Sequence, residues 1–213
     1  YPGALLAQGS ASQPITLTAN SASPTPGFWS GLTVYDGGPD ASVVCDYCVI
    51  EYGGADGNNA NVYLNTSNPV TLTHSTIRQS DGYGISTTVS APILEDNTIT
   101  DNATYGVYLG SGTGATKPTF QRNTVSNNGA YPLHLELTNF PSALTGNTYT
   151  TNAIQAIELV GGTFTTDTTL PFDGLPYVVT STIAVYKYLD PPVTLTIAPG
   201  VRLQFAAATG LLV

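Results

Sequence analysis

The chain has 213 residues, 9% of them charged, with 5 basic side chains against 14 acidic ones and a formal net charge of −9. No Lys/Arg cluster is present to release counterions from phosphates, which excludes nucleic acid as a partner, and no run of roughly 18 apolar residues is present to span a membrane. The surface has to be built from Thr, Ser, Asn and Gly, polar without charge, as in secreted proteins, and the absence of methionine marks the chain as a processed product or a segment of something longer.

No N-terminal stretch carries the charged and apolar regions of a signal peptide. In chain order, short β-branched runs stand at Thr16-Leu-Thr18, Val43-Val44, Val62-Tyr-Leu64, Val70-Thr-Leu-Thr73, Gly106-Val-Tyr-Leu109, Tyr177-Val-Val-Thr180 and Val193-Thr-Leu-Thr-Ile197. Gly, Pro, Asn and Asp separate them, which is the pattern of strands and turns. No segment repeats apolar residues at helical spacing beyond two turns, so the chain reads as all-β with essentially no helix.

One block recurs four times through the middle of the chain. It reads Leu72-Thr-His-Ser75-Thr-Ile77, Leu94-Glu-Asp-Asn97-Thr-Ile99, Phe120-Gln-Arg-Asn123-Thr-Val125 and Leu144-Thr-Gly-Asn147-Thr-Tyr149. An apolar anchor follows each block, at Ile85, Val107, Leu133 and Ile157, and both anchors advance by 22, 26 and 24 residues. One structural unit per 22–26 residues is the period of a solenoid. Three short strands and three turns fit one coil of a parallel β-helix, so residues 1–213 form a single unit of roughly eight or nine coils. A leucine-rich repeat shares the period, but its leucine spacing is missing.

Within a block, Leu94 and Ile99 point inward on either side of a bend at Asn97. Asparagine tolerates the left-handed conformation that such a bend needs. Ser75, Asn97, Asn123 and Asn147 then form an inward ladder that fixes the stacking register, the alternative being a row of solvated turn residues. An unpaired amide inside would cost about 1–3 kcal/mol. Pro69, Pro92, Pro118 and Pro141 open the same coils, and lacking a donor they belong at strand entrances. On this template Cys45 takes the place of Leu72, and Cys48 takes the place of Ser75. The pair points to a structural disulfide, with reduced buried thiols as the alternative. Redox or zinc chemistry would want a following helix or a second cysteine pair, and neither is there.

The Asn-Thr-Ile/Val blocks followed by Tyr-Gly-Ile/Val, as in Asp81-Gly-Tyr-Gly-Ile85 and Ala103-Thr-Tyr-Gly-Val107, resemble secreted right-handed parallel β-helix repeat proteins. Gly27-Phe-Trp-Ser-Gly-Leu32, Val49-Ile-Glu-Tyr-Gly-Gly54 and Leu195-Thr-Ile-Ala-Pro-Gly-Val201 carry the same resemblance. It covers nearly the whole chain and implies the right-handed fold and a secreted, extracellular or cell-surface location. It says little about function, because the fold carries lyases, hydrolases, adhesins and inert fibres.

Enzymes of this fold act on polysaccharides through clustered carboxylates or calcium, and glycoside hydrolysis needs two carboxyls about 5–10 Å apart. Glu95, Asp96 and Asp101 form the densest acidic spot, with Arg78 one coil earlier, yet Glu95 and Asp96 hold outward, solvated positions. There is no Asp-Asp pair, Gly-His-Gly or Arg-x-Lys, and His74 and His134 lack an obvious acid partner. No catalytic residue, metal or cofactor is assigned. Asp36-Gly-Gly-Pro-Asp40 offers calcium two carboxylates without the ligand count of a dedicated loop, and reads as a polar turn. Tyr105, Tyr108, Tyr131, Tyr186 and Tyr188 are candidates for an exposed sugar-binding face, which keeps glycans as a second class of partner. Asn65-Thr-Ser67 and Asn102-Ala-Thr104 match the N-glycan acceptor pattern on outer turns.

The resemblance also implies an order of coils that this chain breaks. A segment like Leu195–Phe205 ordinarily opens the solenoid and runs on into one like Gly3–Gly9 and Pro14–Thr18, but here the opening segment stands last. A solenoid needs terminal caps, since its last coil otherwise shows apolar side chains and unpaired backbone. Segments 1–20 and 193–213 are therefore expected to complement each other between neighbouring units. Leu5, Leu6, Ile15 and Leu17 would meet Leu195, Ile197, Val201, Leu203, Phe205, Leu211, Leu212 and Val213, in a covalent tandem array or between separate copies. A head-to-tail contact does not close on itself and so propagates. Sparse charge suits long stacks, because like charges in a column spaced at ~4.8 Å repel. The sequence thus reads as a structural extracellular protein stacking into a filament or surface stalk, with a carbohydrate-binding or polysaccharide-degrading module as the alternative.

Overall fold

The structure, a computed structural model, describes residues 3–36, 42–112, 116–187 and 191–213. Three parallel sheets run along the molecule, and the chain visits them in turn. The first holds Ala4–Gln8, Ser42–Asp46, Val70–Thr73, Ile93–Glu95, Thr119–Gln121 and Ala143–Thr145. The second holds Ile15–Leu17, Cys48–Glu51, Thr76–Arg78, Thr98–Thr100, Thr124–Ser126 and Thr148–Thr150. The third is the longest, with eight strands: Leu32–Tyr35, Ala60–Asn65, Tyr83–Thr87, Val107–Leu109, Leu133–Glu136, Ile157–Val160, Tyr177–Val179 and Leu203–Phe205. Eight strands enclose seven turns, fewer than the eight or nine coils expected. The opening passage is the reason: Leu32 pairs with Val62, a step of 30 residues rather than 22–26, and everything before Leu32 belongs to one pass.

Two smaller sheets finish the body. Gly162–Phe164, Ile183–Val185 and Leu211–Leu212 form one, and Thr168–Leu170 with Leu195–Ile197 the other. Among the described residues the only helical piece is a single 3-10 turn at Leu137–Asn139, and no helix is long and apolar enough to cross a membrane.

Strand alternation builds the core. In Val70–Thr73, Val70 and Leu72 are buried while Thr71 and Thr73 are half-exposed, the two-residue period of a sheet with one wet face. Pairing then lines like residues into columns along the axis. One inward column runs Ala7, Cys45, Leu72, Leu94, Phe120, Leu144. Another runs Leu32, Val62, Ile85, Val107, Leu133, Ile157, Tyr177, Leu203. Each buried Leu or Ile is worth about 1.5–3 kcal/mol, so the columns supply the driving force that short strands lack.

The bends differ from expectation in one respect. The left-handed residue is not Asn97 but Asp96, at φ 58°, and the same holds for His74, Arg122 and Gly146 before Ser75, Asn123 and Asn147. The left-handed residue swings the chain through the corner, so the residue after it, in ordinary backbone geometry, faces the core. Pro69, Pro92 and Pro118 stand directly before their strands and serve the ladder through carbonyls alone, accepting from Val43, Thr119 and Ser142 at 2.9–3.1 Å. Pro141 stands two residues before its strand.

Candidate functional site

Among the described residues, six strands stand at the two ends of the stack with one edge unpartnered: Ala4–Gln8, Ile15–Leu17 and Leu32–Tyr35 at one end, Leu195–Ile197, Leu203–Phe205 and Leu211–Leu212 at the other. None carries a charged side chain. Natural sheets protect such edges with charge or proline, and these strands carry neither a charged side chain nor a proline. At the first end Leu5, Ile15 and Leu17 are only partly buried, although their columns are fully buried one coil further in. Leu6 is 68% exposed because it alternates outward between Leu5 and Ala7, so it lies on the flank beside the end face. A long connection spans residues 18–31. It folds back over the next coils, where Gly27 and Phe28 donate backbone hydrogen bonds to Gly53 and Tyr52, and Trp29 Nε1 donates to the Glu51 carbonyl at 2.7 Å.

At the other end the core opens into an apolar hollow of about 230 Å³ lined by Val185, Val193, Leu195, Ile197, Leu211 and Val213. Val213 is 99% exposed, Leu212 59%, and Ile197 and Phe205 43% each. Val201 and Leu203 are half-buried at the margin. The residues expected at the junction thus lie in or beside the end strands, with Leu6 turned onto the flank.

Between the ends runs the expected ladder. Ser75 N donates to Asn97 Oδ1 at 3.0 Å, Asn97 N to Asn123 Oδ1 at 3.0 Å, and Asn123 N to Asn147 Oδ1 at 2.9 Å. Each asparagine Nδ2 also donates to a carbonyl one coil back: Asn97 to Leu72, Asn123 to Leu94 and Asn147 to Phe120. A second ladder escaped the sequence reading. Ser80 N donates to Asn102 Oδ1, Asn102 N to Asn128 Oδ1 and Asn128 N to Asn152 Oδ1, at 3.1, 3.2 and 3.1 Å. Its signal was present: each member lies five residues after a member of the first ladder.

The outer face of the third sheet carries a cluster of aromatic and acidic groups. Tyr83, Tyr105 and Tyr131 stack at 5.7 and 6.0 Å, and Tyr108 stacks on His134 at 3.9 Å. His134 Nδ1 lies 2.7 Å from Glu158 Oε2, and Tyr108 Oη donates to Glu136 at 3.4 Å. Burial, then the neighbouring Glu158, pushes the Tyr105 hydroxyl up to about 12. Both histidines have acid partners, contrary to expectation, since His74 Nδ1 lies 2.8 Å from Asp46 Oδ1. Strand pairing created both contacts by bringing together residues 28 and 24 apart in sequence. Elsewhere Glu95 and Asp96 are taken up by Arg122 at 2.8 Å each, and Arg78 pairs with Glu51, so the acidic spot is an ion-pair clasp between coils. Asp101 stands apart from that clasp, accepting from Thr100 Oγ1.

Residues 5–170 match a family model described as a right handed beta helix region. The chain belongs to the right-handed β-helix family. No curated protein and no solved structure matches it. The ladder pattern of the β-helix continues past the matched part: Tyr177–Val179 and Leu203–Phe205 extend its third sheet.

Two expected features of this β-helix are overturned. Cys45 and Cys48 are free thiols, both buried, and form no disulfide. Cys48 Sγ is turned toward the Ala7 carbonyl at 3.8 Å, its backbone N–H is held by Ser75 Oγ, and burial pushes the Cys45 thiol up. They pack as small apolar residues in the inward columns. Asn102 is no glycan acceptor on an outer turn. Its side chain is buried in the second ladder, with Nδ2 donating to Asn128 Oδ1 at 2.9 Å, so the nitrogen that would carry the sugar is inside. Asn65 is half-exposed at a strand end. Of the acidic turn at 36–40, Asp40 lies outside the described residues. The Asp36 carboxylate is surrounded by donors, accepting from Thr66 Oγ1 at 2.7 Å and from Ser67 N and Asn68 Nδ2. Of the other tyrosines Tyr186 is exposed, and Tyr188 lies outside the described residues.

Proposed function

We propose that this chain is a structural building block whose β-helix stacks head to tail, copy upon copy or as units of a tandem array, into an extracellular filament or surface stalk. The observation that carries the proposal is the pair of apolar end coils, whose described strands carry no charged side chain. Each offers three free strand edges over an opened core, and burying each exposed Leu, Ile or Phe is worth about 1.5–3 kcal/mol. Free edges of this kind add strands. The two ends are different surfaces, so their union is head-to-tail and does not close. The ion pairs and ladders of the body serve cohesion between coils, which suits a structural rather than a catalytic role.

Electron microscopy of the purified chain tests this. Stacking gives long threads one β-helix wide, whereas short isolated rods at every concentration would remove the proposal. Glycan binding remains the second reading, favoured by the Tyr83–Tyr105–Tyr131 stack beside Glu136 and Glu158. A sugar needs a free ring face, and these rings cover one another. Binding to a glycan array by chains that form no threads would favour that reading.

A further inference from the structure

We infer that the junction between copies continues the β-helix in one fixed register, with Ile197 of one copy under Ala7 of the next and Leu203 under Leu32. This rests on the stacking reading above and specifies how the second copy sits. Two independent sheets point to it.

In the first sheet the inward column begins at Ala7 and reaches Leu144 through unbroken pairing. The sheet stops there, but the coils stay in step. Asn147, three residues after Leu144, donates both its backbone and side-chain N–H groups to Asp173, three residues after Leu170. Leu170 in turn pairs with Ile197. Ile197 is thus the last member of the column that Ala7 opens, and the next member above it is an Ala7. Leu195 and Leu5 hold the matching place two residues earlier, which puts Leu5 over the apolar hollow that Leu195 and Leu211 line.

In the third sheet the column that opens at Leu32 closes at Leu203, with Val34 and Phe205 two residues further on. Continuing it places Leu203 under Leu32 and Phe205 under Val34. Both sheets therefore call for the same step of one coil, with no gap and no slip. Register is strongly specified here, because a slip of one residue would turn the inward set outward. The outward neighbours of the junction follow: Thr196 lies beside Leu6 of the next copy, both exposed.

A dimension follows as well. The third sheet has eight strands per copy, and at ~4.8 Å per strand each copy advances the thread by about 38 Å.

The test combines a cross-link with a length. In the full chain carrying Leu6→Cys and Thr196→Cys, adjacent parallel strands bring the two thiols within disulfide range. Oxidation should then yield a ladder of linked multimers on a denaturing gel, while the pair Leu6→Cys with Gln204→Cys, on different sheets, should yield none. The native Cys45 and Cys48 are buried and do not compete. Helical reconstruction of wild-type threads should give an axial rise near 38 Å, estimated from the strand spacing. Threads that form without the first cross-link, with the control cross-link instead, or with a rise several ångströms longer would overturn this register and leave stacking intact. The absence of threads would overturn stacking itself, and this register with it.

Discussion

Asn147 donates its side-chain N–H to Asp173 at 2.8 Å, and at that contact the first ladder changes character. Every earlier asparagine both accepts from the coil before and donates back to it, while Asp173 only accepts, taking Tyr149 Oη at 2.7 Å as well. A carboxylate here closes the run of amides and bridges the point where the first sheet is interrupted. The molecule is therefore two stretches of β-helix held in step by one buried acidic side chain and the continuous third sheet.

Asn123→Ala should destabilise the fold far more than its small size suggests. It would leave the Asn97 N–H and the Leu94 carbonyl buried without their present partner, each worth about 1–3 kcal/mol. Chemical denaturation should show a lower midpoint with an unchanged slope, and Asn65→Ala at a half-exposed position should change it little. Equal effects would mean the ladder does not hold register.

Acid should loosen the surface clasps first. His74 lowers the pKa of Asp46, Arg122 that of Asp96 and Thr66 that of Asp36, each below the ordinary value of 3.8. A depressed carboxylate stabilises the fold above its unfolded value and loses that contribution as pH falls through the folded one. The melting temperature should therefore be level near neutrality and drop as pH falls through 3.8 and below. Arg122→Ala should make the drop shallower.

Alkali should act through the tyrosines. Burial, chiefly, raises Tyr105 to about 12 and carries Tyr149 well above 10. A raised phenol stabilises the fold fully below its unfolded value of 10, and the contribution is lost as pH rises beyond it. Phenolate absorbance should show a buried class of tyrosines that ionises only well above 10 or on unfolding. A single class titrating together near 10 would contradict the burial.

Phe205→Asp should separate folding from stacking. Phe205 stands at the open end, so a charge there meets water in the lone copy but would be buried at a junction. Circular dichroism and melting in dilute solution should be nearly unchanged, while threads should vanish. Threads of normal length from this variant would place the junction elsewhere.

Much of the fold was legible because a solenoid writes its architecture as a period. Leu72, Leu94, Phe120 and Leu144 recur at one offset from Ile85, Val107, Leu133 and Ile157, and the columns follow from stacking them. Pairings across coils were harder to see. His134 and Glu158 sit in different repeats at outward positions, where no apolar rule marks them. The cysteines misled because inward neighbours across a bend read as a bond, when the same columns accept two thiols as packing. Asn102 misled because the glycan pattern is local, whereas its burial is set by a bend at Asp101 that the pattern does not contain.

Sedimentation velocity of the purified chain over a wide concentration range tests the central claim most directly. Open-ended stacking predicts a boundary that broadens and speeds up with concentration, and that returns to a single slow species with Phe205→Asp. A lone species of 22.1 kDa at every concentration would contradict the account.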